Sequence, residues 1–255
     1  MTGNILRLAM DCGSYVPGDI DGNLSIIRGS VGATVTEGCD IICFPEASLT
    51  GYSTKEMAAL NEDSDILKEI AELSERITVV IGAFEDGPHI TQFIFKDGKP
   101  IGKYRKTHLG MNETTFIPGD GLPVFDTGRI KIGIQLCWEI HIPQMTATYR
   151  RRGADLILNP TASGLDPERR MAQWRKVMPA RADDNRIFYA ACNSDGSSTL
   201  CNGPDGSEIE RKEIGDHLFI YVLDLSMIER YRTPEETMRN IDYPRHLRPE
   251  LYDFE

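Results

Sequence analysis

Short runs that are apolar at almost every residue constrain this chain more than any other feature. Residues 41–44, 77–84, 156–158 and 187–192 carry hardly a polar side chain, and each is too short for a buried helix. Runs of roughly four to eight such residues are the pattern of strands buried on both faces. Amphipathic helix patterns lie between them. Leu24, Ile27, Val31 and Val35 recur at helical spacing with Gly38 as a stop, and Ile66, Leu67, Ile70 and Leu73 mark a second helix. Strands with no polar face need cover on both sides, so the alternation predicts mixed sheets covered by helices.

The rest of the chain fits that scheme. Residues 5–10 form an opening strand, and Asp97-Gly98 between 90–96 and 100–105 is a hairpin signal. A further strand pair surrounds Thr127-Gly128 and ends in 130–137, and Pro143 opens a helix reaching 152. A helix over 166–184, a turn at Pro204-Asp205-Gly206 and a strand over 218–223 complete the order. No repeat or flexible linker divides the sequence, so residues 1–255 read as one domain. Residues 233–255 are rich in Pro, Arg and Tyr without a period, which predicts an extended tail. Tyr231, Tyr243, Leu247, Leu251, Tyr252 and Phe254 are too apolar for a freely solvated terminus, so the tail is expected to strap across a subunit boundary.

Composition excludes several functions. Twenty-eight basic against 39 acidic side chains leave a net charge of −11, which disfavours general nucleic-acid binding. No apolar run approaches the roughly 18 residues of a membrane span, and the N-terminus has no signal-peptide pattern. Six cysteines are too few for a disulfide scaffold, so a reduced, cytosolic setting is expected. No Cys-x-x-Cys pair, zinc-ligand pattern or nucleotide-binding glycine loop occurs, so no metal or cofactor is expected.

Three segments end an apolar strand in a reactive residue. Ile41-Ile42-Cys43-Phe44-Pro45 runs into Glu46, a solvated loop carboxylate on the plainer reading and a desolvated general base on the functional one. Lys106 ends a hairpin strand, as a surface charge or as an ammonium for a developing oxyanion. Cys137 stands after Ile132–Leu136 and precedes a helix at Pro143; it is a buried structural thiol or a nucleophile at an elbow.

Taken together and in this order, these motifs resemble the carbon–nitrogen hydrolases of the nitrilase superfamily. Phe44-Pro45-Glu46 with Leu49-Thr50-Gly51-Tyr52 resembles the family's glutamate motif, and Tyr104-Arg105-Lys106-Thr107-His108-Leu109 its lysine motif. Leu136-Cys137-Trp138-Glu139, with Arg152-Gly153-Ala154-Asp155 after it, resembles its cysteine motif. Glu113, ahead of Phe116, Pro118, Gly119 and Asp120, matches a second glutamate that supports the lysine and the substrate. The segment holding Trp174, Arg181, Ala182 and Asn185, and the late Arg248-Pro249-Glu250-Leu251-Tyr252, are similar too.

The resemblance implies an α-β-β-α sandwich of two mixed sheets, an α/β fold that dimerises through helices near the cysteine elbow. It implies a thiol mechanism free of metal and cofactor. By that resemblance Glu46 would act as proton shuttle and Cys137 as nucleophile, with Lys106 and the Trp138 backbone N–H as oxyanion donors. The implied substrate is a small amide or nitrile. Tyr52, Trp138, Glu139, Asn159 and Thr161 are expected to shape the substrate pocket. Amidase is favoured by the compact length and by Lys106-Thr107-His108; nitrilase, ω-amidase and carbamoylase stay open. The rivals are a Cys–His hydrolase using His108 or His141, a redox thiol enzyme, and an inactive scaffold of the same fold.

Overall fold

The computed structural model describes residues 4–55, 58–232 and 241–252. Strands β1 (Ile5–Asp11), β2 (Ile41–Cys43) and β3 (Thr78–Glu85) lie parallel at the centre of a seven-stranded sheet. The hairpin β4 (His89–Lys96) and β5 (Lys99–Arg105) extends one side, and β12 (Leu218–Asp224) with β11 (Arg211–Gly215) the other, all antiparallel. Asp97 and Gly98 both take positive φ, 53° and 74°, as a two-residue type I′ turn requires. A second sheet of five strands runs β10-β9-β8-β7-β6. Its centre is the parallel set β7 (Lys131–Ile134), β8 (Leu156–Thr161) and β9 (Phe188–Asn193). Antiparallel β6 (Phe125–Asp126) and β10 (Thr199–Asn202) form its edges.

The alternation of side chains along each strand builds the layers. Ala9, Ile42, Val79 and Ile81 face Leu24, Ile27 and Val31 of α1 (Ile20–Thr36) and Leu67 and Ile70 of α2 (Asp65–Leu73). Each of the larger aliphatic side chains buried there contributes about 1.5–3 kcal/mol. Their neighbours Leu8, Met10, Cys43 and Val80 point the other way, into a core shared with Ile132, Ile134 and Leu158 of the second sheet. Tyr149 of α3 (Pro143–Arg151) and Trp174, Met178 and Ala182 of α4 (Pro167–Asn185) join that core and cover the second sheet. The architecture is a four-layer α-β-β-α sandwich. Asp166 caps α4 by accepting from the N–H groups of Glu168 and Arg169, with Pro167 in the first turn.

Three features differ from the sequence expectation. The strand expected over 130–137 stops at Ile134, and Cys137 opens a 3-10 turn, Cys137–His141. Strands β10 and β11 and helix α5 (Ser226–Arg232) carry no sequence signal that predicts them. The described part of the tail is not extended: it forms 3-10 turns at Tyr243–His246 and Pro249–Leu251, anchored to its own subunit. Asp242 accepts from Arg150 at 2.9 and 3.1 Å, and the Arg186 guanidinium donates to Ile241 O and lies over the Tyr243 ring. Phe254 and residues 233–240 lie outside the described residues. Among the described residues no helix is long and apolar enough to cross a membrane.

Candidate active site

Both parallel strand sets end at the same edge of the sandwich, and the reactive residues lie on the loops leaving that edge and at the end of the β4–β5 hairpin. Glu46 stands three residues beyond β2, Lys106 directly after β5, and Cys137 three residues beyond β7. The glutamate loop is pinned to β3: Leu49 N–H donates to Gly82 O at 2.9 Å and Phe84 N–H to Thr50 Oγ1 at 3.1 Å. Gly82 permits this approach, because a Cβ there would lie 2.3 Å from Ala47 N and 2.7 Å from Pro45 O. Ala47, the residue after Glu46, has φ 52°, and Cys137 has φ 51°. Each left-handed non-glycine residue costs about 1–2 kcal/mol. Here the strain turns Glu46 and the thiol out of their strand directions.

Glu46, Lys106 and Glu113 are brought together and buried. The Lys106 ammonium donates to Glu46 Oε1 at 2.8 Å and to Glu113 Oε1 at 2.7 Å. Glu113 also accepts from the Tyr52 hydroxyl at 2.5 Å and from Gly110 N–H. Glu46 Oε2 accepts from Ala162 N–H, just past β8, at 3.3 Å, so this carboxylate spans both sheets. Burial raises the Glu46 pKa above the ordinary glutamate value, against the lowering pull of Lys106. For Lys106, burial opposes the charge, but Glu46, Cys137 and Glu113 outweigh it and the ammonium is held on. The Cys137 thiol is pushed up to about 12, first by burial and then by the Glu46 charge, while Lys106 and Arg170 pull it down. A thiol in that state is protonated at neutral pH and needs a base.

Cys137 is the one cysteine of the six that is not fully buried; Cys12, Cys39, Cys43, Cys192 and Cys201 are interior, and all six are free thiols. The Trp138 N–H lies in the first turn of the 3-10 helix, where helical pairing supplies no acceptor. The Trp138 ring is 38 % exposed and meets His108 edge-on at 6.3 Å. His141 bonds Gln173 and His108 bonds Thr107, so neither histidine is committed to the thiol and the Cys–His reading has no geometric support.

Three of the expected pocket residues face inward. Glu139 is fully buried, and its carboxylate accepts from Tyr104 OH, Thr107 N–H and Oγ1, His108 N–H and Leu136 N–H at 2.7–3.0 Å. It therefore ties the lysine loop to the cysteine elbow and has no oxygen to offer a substrate. Asn159 is likewise buried and donates to Gln135 O at 2.6 Å and Cys137 O at 3.1 Å, holding the elbow from β8. Thr161 is buried and turned back on Asn159. Tyr52 is partly buried, and its hydroxyl is committed to Glu113. Sequence reasoning misses Arg170, buried on α4 within electrostatic reach of Cys137 and Glu46. The available signal is its spacing: Arg170, Trp174 and Met178 recur every four residues on one helix face. Among the described residues, no group of three His, Cys, Asp or Glu side chains is arranged to hold a metal ion.

The two-sheet sandwich thus carries a thiol, an ammonium and two carboxylates together at one strand edge. The chain belongs to the carbon-nitrogen hydrolase family, whose profile matches residues 7–233. It is similar to the chloroplastic omega-amidase of Arabidopsis thaliana, 27% identical over 87% of this chain and 69% of that protein. Similarity to citrullinase of Francisella tularensis is also 27%, over 91% of each chain. Among solved structures, an amidase from Nesterenkonia sp. superposes with TM-score 0.80 at 23% identity, covering 98% of this chain and 96% of that one.

Proposed function

We propose that the protein hydrolyses a non-peptide C–N bond of a small amide through a Cys137 acyl-enzyme. Glu46 takes the thiol proton as the sulfur attacks the amide carbon. The Lys106 ammonium and the Trp138 N–H receive the charge that develops on the oxygen. Glu46 returns the proton to the departing nitrogen, and ammonia or an amine leaves. A water then loses its proton to Glu46, attacks the thioester and releases the acid, restoring the thiol. Glu113 keeps Lys106 charged and oriented, with Tyr52 fixing Glu113; Glu139 and Asn159 set the distance between lysine and cysteine.

The observation that carries this reading is the buried ammonium held 2.7–2.8 Å from two carboxylates beside a thiol at a strained elbow. Burying such a set carries a large desolvation penalty, which apolar side chains in a purely structural role would avoid. The similarities to an amidase, an omega-amidase and a citrullinase support amide and carbamoyl substrates over nitriles. Ammonia release across primary amides, N-carbamoyl compounds and nitriles tests the reading. Amide turnover lost in Cys137→Ala is the expected result. Absence of turnover on every class would favour an inactive scaffold, and turnover of nitriles alone would favour the nitrilase reading.

A further inference from the structure

The outer face of the seven-stranded sheet is not fully covered beside its β5 edge. Between α2 and the β4–β5 hairpin lies a cleft of about 630 Å³. Its floor is apolar, made by Leu67 and Ala71 of α2 and by Phe93 and Phe95 of β4, whose rings stack with centres 6.3 Å apart. Side chains alternate along β5, so Lys103 lines this face while Tyr104 enters the core between the sheets. Gly98 and Gly102 on the hairpin side have no side chain to close the cleft.

Carboxylates stand at both ends of the cleft. Glu62, Asp63 and Glu72 line it together with Lys68 and Lys103. Both lysines already have partners. Lys68 donates to Asp65 at 2.8 Å. Lys103 donates to Glu62 and to Glu85, and Glu85 also accepts from Arg105 at 2.7–2.8 Å. Asp63 and Glu72 are exposed, and among the described residues no cation lies within ion-pair distance of either carboxylate. Asp63 stands just ahead of α2 and Glu72 in its last turn, so the helical rise sets their Cα atoms roughly 13 Å apart.

We infer that this cleft binds an apolar chain with an ammonium group at each end. The methylenes lie along Leu67, Ala71 and the two phenylalanines, and the two charges meet Asp63 and Glu72. A single ammonium satisfies one end only, a neutral chain satisfies neither, and an anion is repelled. A spacer of about eight methylenes reaches across once both carboxylates lean inward. The cleft lies on the helix-covered face, away from the strand edge that holds Cys137, so the inference is independent of the amide-hydrolase reading.

Calorimetric titration of the full chain at neutral pH and low salt compares 1,8-diaminooctane, octylamine, 1,3-diaminopropane and 1,8-octanediol. The long diamine binds one per chain, about 5- to 30-fold more tightly than the diol, with octylamine between them. The short diamine, which cannot span the cleft and covers little of its floor, binds at least about 10-fold more weakly than the long one. Asp63→Asn combined with Glu72→Gln brings the long diamine to the affinity of the diol, and raised salt weakens it in the same direction. Both positions are exposed, so the double substitution keeps the fold, which a melting curve verifies. Capping Cys137 with iodoacetamide leaves the binding unchanged. No saturable binding, equal affinity for diamine and diol, an affinity unmoved by the double substitution, or binding lost on capping Cys137 would each overturn the inference.

Discussion

Replacing Glu139 by Gln tests whether the lysine loop and the cysteine elbow are held in register by one buried carboxylate. Glu139 Oε2 accepts the Leu136 N–H at 2.7 Å, while Oε1 takes Thr107 N–H, Thr107 Oγ1 and His108 N–H. An amide keeps one acceptor oxygen and presents N–H groups where the other stood. At the least, the Leu136 bond is lost and its buried N–H is left facing another donor. A hydrogen bond to a charged acceptor is worth about 1.5–3 kcal/mol, and the remaining bonds weaken with the charge gone, so the loss is about 2–4 kcal/mol. For a chain of 255 residues the unfolding entropy is roughly 0.5 kcal/mol per kelvin, which gives a Tm lower by about 4–8 °C. Leu136 precedes Cys137, the proposed nucleophile, and Thr107 comes directly after the ammonium, so kcat should fall about 10- to 100-fold with little change in KM. Calorimetry and steady-state ammonia release measure both. A Tm within about 1 °C of the parent together with full kcat would refute the bracing role.

Lys106→Met leaves Glu46 and Glu113 buried without their counter-charge, at a cost of about 3–5 kcal/mol. Thermal melts should show the deficit shrinking as pH falls and Glu46, whose pKa burial raises, protonates; a deficit independent of pH would contradict it. Glu113→Gln should lower kcat less than Glu46→Gln, since in the proposed mechanism Glu46 alone moves protons; the reverse order in initial rates would reassign the base. The acid limb of kcat/KM should have its midpoint above the ordinary glutamate value of 4.5, because burial holds the proton on Glu46 and the base acts only when ionised. A midpoint at or below 4.5 would exclude Glu46 as that base. Light scattering at micromolar concentration should give a homodimer, since Leu247, Leu251 and Tyr252 stay 44–61 % exposed beside α3; a monomer would refute this.

The features legible in the sequence are those that local chemistry encodes. The Asp97-Gly98 hairpin, the Asp166 cap and the apolar runs of β3 and β9 each announce themselves within a few residues. Strand β11 does not, because four of its five residues are exposed and it has no apolar face. Helix α5 buries no residue and so has no amphipathic stripe. Glu46, Lys106 and Cys137 are recognisable as a family pattern, but the partners that hold them come from far along the chain. Glu139 reads as a pocket residue in the sequence because its partners lie 31–35 residues away, except for Leu136. Arg170 sits in an Arg169-Arg170 pair that looks like a solvated face until Trp174 and Met178 place it on the buried stripe.

The proposed chemistry stands or falls with its nucleophile, and peptide mapping by mass spectrometry after brief treatment with an α-haloacetamide identifies that group. The mimic places an electrophilic carbon beside an amide, and five of the six thiols are interior. One modified cysteine, Cys137, is expected, with labelling slowed in Glu46→Gln because the thiol is otherwise protonated. Label on Cys12 or Cys201 with Cys137 untouched would contradict the assignment.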